Sequence, residues 1–336
     1  MRNWKLLGAI ALLGLAGCST PDAGKGSTPS PGASGNQTSS AGKKRLRIAV
    51  IPKMLNNPVF GYANIGAQRA AKELGNVDIE YIGPPKNDPA AQAKIIEDMT
   101  AKKVDGILIA CADPEIPRKA IDKAVAAGIP VMTFDSDSPK SKRVAYYGVN
   151  DEKMGNRLGE EIAKQLNGKG KVAVLSGAQG ALNLQKRVKG VQDALKKYPN
   201  IKMMDTLYCN DDLPKSEQIV TNVTRSQKPD GWVFVGGWPL FVKSGLNAIE
   251  PGKTKIVSPD PLPPTWKWIE GNYVQVALGQ KVFGWGEQGT KLLIKVINGE
   301  KIPVFNDSGF DVVTPKTLEQ YKKEWAKQEG KPASAE

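Results

Sequence analysis

Acidic and amide side chains recur at the ends of the short apolar segments of this 336-residue chain. The seven stretches that follow these segments are residues 56–60, 110–113, 135–137, 176–183, 209–212, 236–238 and 259–260. Carboxylates accept hydrogen bonds, and amides both accept and donate them, which suits the paired needs of vicinal hydroxyls. The aromatic faces of Phe60 and Trp238 could cover the apolar face of a sugar ring. These residue types favour a neutral, polyhydroxylated ligand.

The same residues also have a purely structural interpretation. Asp and Asn directly after a strand are common turn formers and helix caps. A single residue of this kind therefore decides nothing. The bias recurs at six of the seven segment ends, and Trp238 stands at the seventh; this repetition is what favours a binding site.

The elements that must position these stretches alternate between strand and helix. The sequence predicts strands at 46–51, 77–82, 106–111, 129–134, 143–149, 171–175, 201–208, 231–235 and 254–258, and helices at 60–74, 89–103, 116–127, 152–167, 181–197, 214–226 and 239–249. Apolar strands separated by helices are typical of parallel sheets that are covered on both faces. The scheme repeats in two halves, which predicts two α/β lobes with a ligand cleft at the carboxyl ends of their strands.

The N-terminal residues indicate export and lipid attachment. Residues 1–18 have a positive start and an apolar run, Leu6–Leu15, that is too short to cross a bilayer. The run ends in Leu-Ala-Gly-Cys, which resembles a bacterial lipobox and predicts a lipid on Cys18. Residues 19–43 are mostly Ser, Thr, Gly, Pro and Ala, so we expect a flexible tether.

Composition argues against two classes of protein. The net charge of +13 is spread along the chain, and its one tight basic run is Lys43-Lys44-Arg45, so we expect no nucleic-acid partner. The chain has no His, which excludes Ser-His-Asp, Cys-His and HExxH chemistry. Asp135 and Asp137 could form a glycosidase pair, but two residues so near in sequence stand too close for the inverting mechanism. We therefore predict a non-enzyme without catalytic residues, metal or cofactor.

Two further motifs leave alternatives open. Cys111 and Cys209 could form a disulfide or be two small buried residues. Residues 284–289 satisfy the pattern GxGxxG, which could form a dinucleotide turn or the Gly-rich opening of a helix. The late position of the motif and the bulk of Trp285 favour the helix.

The chain resembles the periplasmic sugar-binding proteins of the ribose-binding type from about Arg45 to Thr317. The likeness is carried by Ile48-Ala49-Val50-Ile51, Leu55-Asn56-Asn57-Pro58-Val59-Phe60, Val104-Asp105-Gly106-Ile107-Leu108-Ile109, Gly128-Ile129-Pro130-Val131, Phe134-Asp135, Arg187 before Lys189-Gly190, Pro229-Asp230-Gly231 and Gly279-Gln280. The resemblance implies the type I periplasmic binding protein fold, with two Rossmann-like lobes joined by three crossovers around the ligand. It places the first lobe at 44–149 plus 281–310 and the second at 150–280 plus 311–330.

The resemblance also assigns ligand residues position by position. Those that match sugar-binding positions are Asn57, Phe60, Asp135, Arg187, Asp260 and Gln280. The chain departs from the ribose pattern at Val59, Ala110, Ser136 and Trp238. The segments 135–137 and 210–211 instead look like those of rhamnose and autoinducer-2 binders, which adds Asp137 and Asp211 to the expected site, with Trp238 as an aromatic wall.

The function implied by the resemblance is capture of a monosaccharide or similar polyol for an ABC importer. Its partners would be the sugar, the permease with its ATPase, and the bilayer through Cys18. The protein would be a monomer held outside the cytoplasm, in the periplasm or at the cell surface. A sensory binding protein that presents an autoinducer-2-like signal to a receptor is the alternative.

Overall fold

Twelve strands form the centre of the structure, a computed structural model that describes residues 44–330. They are β1 (Leu46–Ile51), β2 (Val77–Tyr81), β3 (Gly106–Ile109), β4 (Val131–Phe134), β5 (Ala145–Gly148), β6 (Lys169–Ser176), β7 (Asn200–Tyr208), β8 (Gly231–Phe234), β9 (Lys255–Pro259), β10 (Val276–Gln280), β11 (Phe305–Asp307) and β12 (Phe310–Val313). They form two six-stranded sheets, in the orders β11-β5-β4-β3-β1-β2 and β12-β10-β9-β8-β6-β7. The two orders correspond strand for strand, which confirms the prediction of two similar α/β lobes.

The strands pair in parallel, except that β12 runs antiparallel to β10. Central strands such as β3 and β4 are buried along their whole length because helices cover both faces of each sheet. Parallel pairing brings the carboxyl ends of the strands to one edge of each sheet. The polar stretches that follow the strands are thereby gathered there.

Nine helices of the described residues pack on these sheets. They are α1 (Pro58–Leu74), α2 (Pro89–Ala101), α3 (Arg118–Ala126), α4 (Asp151–Gln165), α5 (Leu182–Leu195), α6 (Leu213–Gln227), α7 (Trp266–Glu270), α8 (Val282–Ile297) and α9 (Leu318–Glu329). Asn57, Asp88, Asn150 and Asp212 cap α1, α2, α4 and α6 through their side chains. No helix within 44–330 is long and apolar enough to cross a membrane.

The predicted helix at 239–249 is wrong. A single 3₁₀ turn covers Trp238–Phe241, and further turns follow as far as Lys253. A Cβ on Gly245 would lie 1.8 Å from the carbonyl oxygen of Pro239, so the chain folds back on itself here. The apolar residues of this segment are spaced as in a helix. In the structure, a tight chain reversal buries them, so no helix is needed.

Residues from the C-terminal part of the chain complete the first lobe. β11 pairs with β5, and α8 packs against α1 at glycines. A Cβ on Gly66 would lie 1.9 Å from the carbonyl oxygen of Phe283, and one on Gly286 would lie 1.8 Å from that of Ala63. The GxGxxG residues therefore lie within α8, where Gly286 serves close helix packing rather than a nucleotide turn.

The last helix contacts the cores of both lobes. Leu318 of α9 belongs to the apolar core of the second lobe. Trp325 packs edge-on against Tyr62, with ring centroids 4.9 Å apart, in the core of the first lobe. The expected second-lobe segment 311–330 thus ends in a helix that the two lobes share.

Candidate ligand-binding site

Two aspartates occupy corresponding positions in the two lobes. Asp135 follows β4 and Asp260 follows β9, which hold the same place in their sheets. Both have left-handed backbones, with φ of 54° and 65°. Asp tolerates this conformation better than most residues do. The sharp turn after each strand brings both residues to one cavity between the lobes.

The cavity has a volume of about 40 Å³ and is walled by both lobes. Eight of the nine ligand residues expected from the sequence line it: Asn57, Phe60, Asp135, Arg187, Asp211, Trp238, Asp260 and Gln280. The remaining lining residues are Lys53, Val59, Asn183, Leu184, Gly236, Gly237 and Trp285. The structure thus gathers residues that are more than 200 positions apart in the sequence.

Arg187 is the centre of a buried polar network. Its Nε donates to Asp151 Oδ1 at 2.8 Å, its Nη1 to the Val235 carbonyl at 3.1 Å, and its Nη2 to Gln280 Oε1 at 2.7 Å. Gln280 extends the network to Asp260, because its Nε2 donates to Asp260 Oδ1 at 2.8 Å. These bonds fix the guanidinium and its three acceptors within the protein itself.

Asp260 is held from both sides of its carboxylate. Oδ1 accepts from Gln280, and Oδ2 accepts from the backbone N–H of Gly237 at 3.1 Å. Burial raises the pKa of Asp260, while these hydrogen bonds and Arg187 act in the opposite direction. Burial likewise raises the pKa of Asp211.

Lys53 is a cavity residue that sequence reasoning missed. Its ammonium lies 3.4 Å from Asp135 Oδ2 and donates to Asn183 Oδ1 at 2.9 Å. Only 5% of Lys53 is exposed. A lone Lys is usually a surface residue, but Lys53 stands two residues after β1, at a strand end, and this position is the signal that could have identified it.

Asp135 lies between two cations. Lys53 is on one side, and Arg187 Nη2 is 4.0 Å from Oδ1 on the other. Asn183 Nδ2 lies 3.5 Å from the same Oδ1. Lys53 belongs to the first lobe, whereas Asn183 and Arg187 belong to the second. Asp135 is therefore where charges from both lobes meet.

Aromatic rings form the apolar part of the wall. Phe60 and Trp285 have ring centroids 6.1 Å apart, and Phe60 is edge-on to Phe134 at 6.4 Å. Trp238 fits because small residues surround it: a Cβ on Gly177 or Gly236 would come within 2.5 Å of its ring. In the sequence, Trp285 stands out only as part of a Gly-rich motif, and nothing around it indicates a place in the cavity wall.

The structure places Asp137 outside this cavity. Its carboxylate accepts two hydrogen bonds of 2.6 Å from Arg143 and one of 2.6 Å from Thr133 Oγ1. It borders a separate cavity of about 320 Å³, which Tyr146 and Phe305 also line. Asp137 thus differs in surroundings from Asp135, and the two do not form a pair of acids facing one substrate.

The two cysteines of the described residues do not pair with each other. Cys111 and Cys209 are buried, free thiols, and burial raises the pKa of Cys209 to about 12. Cys18 lies outside the described residues. Between residues 44 and 330, no group of three or more Cys, Asp or Glu residues is arranged to hold a metal ion.

Comparison with known proteins identifies the family. A family model described as a periplasmic binding protein domain matches residues 48–301. Ribose import binding protein RbsB of Escherichia coli (strain K12) is 26% identical over 258 residues, which cover 76% of this chain and 86% of that protein. The D-allose-binding periplasmic protein of the same organism is also 26% identical, over 76% of this chain and 88% of its own length.

A solved structure gives the same result. An ABC transporter solute binding protein from Burkholderia graminis C4D1M, in complex with D-arabinose, is 34% identical with a TM-score of 0.78. The match covers 82% of this chain and 97% of that one. The two lobes, the cavity between them and the family model over residues 48–301 agree, and the chain belongs to the periplasmic binding protein family.

Proposed function

We propose that this protein binds a monosaccharide or a similar polyol between its lobes and delivers it to the permease of an ABC importer. The observation that carries the proposal is the composition of the cavity wall. Carboxylates of Asp135 and Asp260 stand opposite donors on Lys53 and Arg187, beside the ring of Trp238. Paired acceptors and donors match vicinal hydroxyls, and the ring matches the C–H face of a sugar.

The relatives support the ligand class. The proteins named above are described as binders of ribose and allose, and the solved structure contains D-arabinose. Trp238 lines the cavity of this chain where the ribose pattern has an amide. A ring in place of an amide removes a donor and an acceptor, so we propose a preferred sugar other than ribose.

The lobes must separate for such a ligand to enter. A cavity of about 40 Å³ admits roughly three water molecules. The bond between Lys53 and Asn183 joins the lobes directly across it. Hinge opening would break this bond and free the ammonium and the amide for the ligand. We propose that both residues then bind sugar hydroxyls.

The proposal includes location and assembly. The lipobox-like sequence at 15–18 supports a lipid anchor on Cys18, with the folded part outside the cytoplasm at the end of the tether. We propose a monomer that meets the permease, and through it the ATPase, when the lobes have closed on the ligand.

A thermal-shift screen tests the sugar hypothesis directly. A ligand that binds only the folded protein stabilises it by about 2.7 kcal/mol at a hundred times its dissociation constant. For a protein of this size, we expect the melting temperature to rise by a few degrees. The panel should contain pentoses, hexoses, deoxyhexoses and polyols, with Asp135→Asn as the matched variant that loses the shift. Absence of a shift across the whole panel would refute the proposal.

A further inference from the structure

A second hydrogen bond joins the lobes beside the ligand cavity. Asn87 Nδ2, from the loop between β2 and α2, donates to Asp211 Oδ2 in the loop between β7 and α6, at 2.7 Å. Asp211 lines the cavity and is 9% exposed, whereas Asn87 is not among the lining residues. The bond therefore links the ligand site to a residue outside it.

The two residues occupy corresponding positions in the two lobes. Asn87 immediately precedes Asp88, the cap of α2, and Asp211 immediately precedes Asp212, the cap of α6. β2 and β7, which lead into these loops, are the corresponding edge strands of the two sheets. The bond thus joins equivalent loops across the cleft. It can form only when the lobes are together.

The side chain of Asn87 makes no hydrogen bond within its own lobe among the described residues. Among the described residues, its side chain makes one hydrogen bond, the one to Asp211, because Asp88 already caps α2. Asp211, in contrast, is rigidly held. It and Asn210 both have left-handed backbones, and a Cβ on Gly177 would lie 2.1 Å from its Oδ1. A fixed, buried carboxylate needs a donor, and Asn87 supplies one from the opposite lobe.

We propose that Asn87 and Asp211 form an interlobe latch that sets ligand affinity although Asn87 does not contact the ligand. The inference rests on the proposed function. A charge-assisted hydrogen bond is stronger than a neutral one, and this one favours the closed arrangement of the lobes. A ligand that enters the open lobes is retained when they close on it, so an interaction that favours closure stabilises the bound state and lowers the dissociation constant.

The latch is also weak enough to open. Asn87 Oδ1 is buried without a protein partner, so closure strips water from one amide oxygen while the other end of the amide gains its bond. These two effects oppose each other, which limits the net stabilisation. We therefore expect a change in affinity of about three- to tenfold when the latch is removed, rather than a loss of binding.

The test compares the full mature protein with its Asn87→Ala variant, using D-ribose, D-allose and D-arabinose as probes. We expect the dissociation constant of every probe that binds to rise by the same factor, with a faster dissociation rate and an unchanged order of preference. Small-angle scattering without sugar should give a larger radius of gyration for the variant. Asn64→Ala, which removes a partly exposed amide on α1 far from the lobe boundary in sequence, is the control.

A charge swap separates the latch from a ligand contact. Asn87→Asp alone places two carboxylates together and should open the lobes further, whereas Asn87→Asp with Asp211→Asn restores the bond in reverse and should restore the parent radius. Parent-like radius and affinity in Asn87→Ala would overturn the latch, and so would a changed order of preference. If no probe binds but the radii differ as expected, the latch stands and the sugar proposal fails.

Discussion

Asp151 and Arg187 form an ion pair inside the protein, with 2.8 Å between Oδ1 and Nε and less than a tenth of either side chain exposed. Asp151 is the first residue of α4, directly after the chain has left β5 and passed into the second lobe. The pair therefore attaches a crossover to the network that reaches the cavity. Burial raises the pKa of Asp151 to about 6, against the opposing effect of Arg187.

We predict that the Asp151 contribution to stability falls as the pH rises. Its folded pKa is above its unfolded value, so the contribution is complete below about pH 4 and is lost as the pH passes through about 6. Relative to the parent, Asp151→Asn should gain about 2 kcal/mol of unfolding free energy between pH 4 and pH 7. Urea denaturation of both proteins across this range measures the difference. A pH-independent difference would contradict the prediction.

Asp135→Asn should weaken ligand binding by about thirty- to two-hundredfold, since a mispaired polar group in a closed cleft costs about 2–3 kcal/mol. The carboxylate lies near Lys53 and Arg187 and is 6% exposed, so the variant should also lose about 1–3 kcal/mol of unfolding free energy. Calorimetry with the sugar found in the screen gives the first value, and urea denaturation gives the second. Equal dissociation constants would remove Asp135 from the site.

Asp137→Asn is the matched control and should have the opposite profile. Its partner Arg143 would keep a buried charge without a counterion, so unfolding free energy should fall by about 3 kcal/mol. Ligand affinity should stay within about twofold of the parent, because Asp137 lies outside the cavity. A large loss of affinity with unchanged stability would return Asp137 to the ligand site, as first expected from the sequence.

Cys18→Ala should release the protein from the membrane. Lipid on the new terminal Cys would supply more than one acyl chain, which makes attachment effectively stable, whereas the Ala variant has no acceptor. Phase partition in detergent separates the two forms. Partition of the variant with the detergent, as for the parent, would show that the lipobox interpretation is wrong.

The sequence predicted a site residue best when that residue directly follows a strand, because the end of the strand then fixes its position. Asp135 and Asp260 could be predicted because apolar runs mark β4 and β9, and parallel strands present their carboxyl ends to a common edge. Asp137 lies outside the cavity because Arg143, six residues further on, binds its carboxylate, and the sequence alone does not show this ion pair. The spacing of residues around one turn does not report which side chain faces the cavity.

Contacts between distant segments escaped prediction. Lys53 and Asn87 gain their importance from Asn183 and Asp211, which lie more than 120 residues away in the other lobe. Nothing local distinguishes such a Lys or Asn from a solvated one. A local contact also escaped prediction: in residues 239–249, the close approach of Gly245 to Pro239 overrides a helical pattern.

The pairing of β11 with β5 has a consequence for biosynthesis. The first lobe lacks an edge strand and the helix α8 until the ribosome has made residue 307, nearly the whole chain. An N-terminal domain usually folds as soon as it emerges, but this lobe must wait for a partner segment made more than 150 residues later. The nascent chain therefore stays without its finished first lobe during most of its synthesis, and the order of the strands in the sheet differs from the order in which the ribosome makes them.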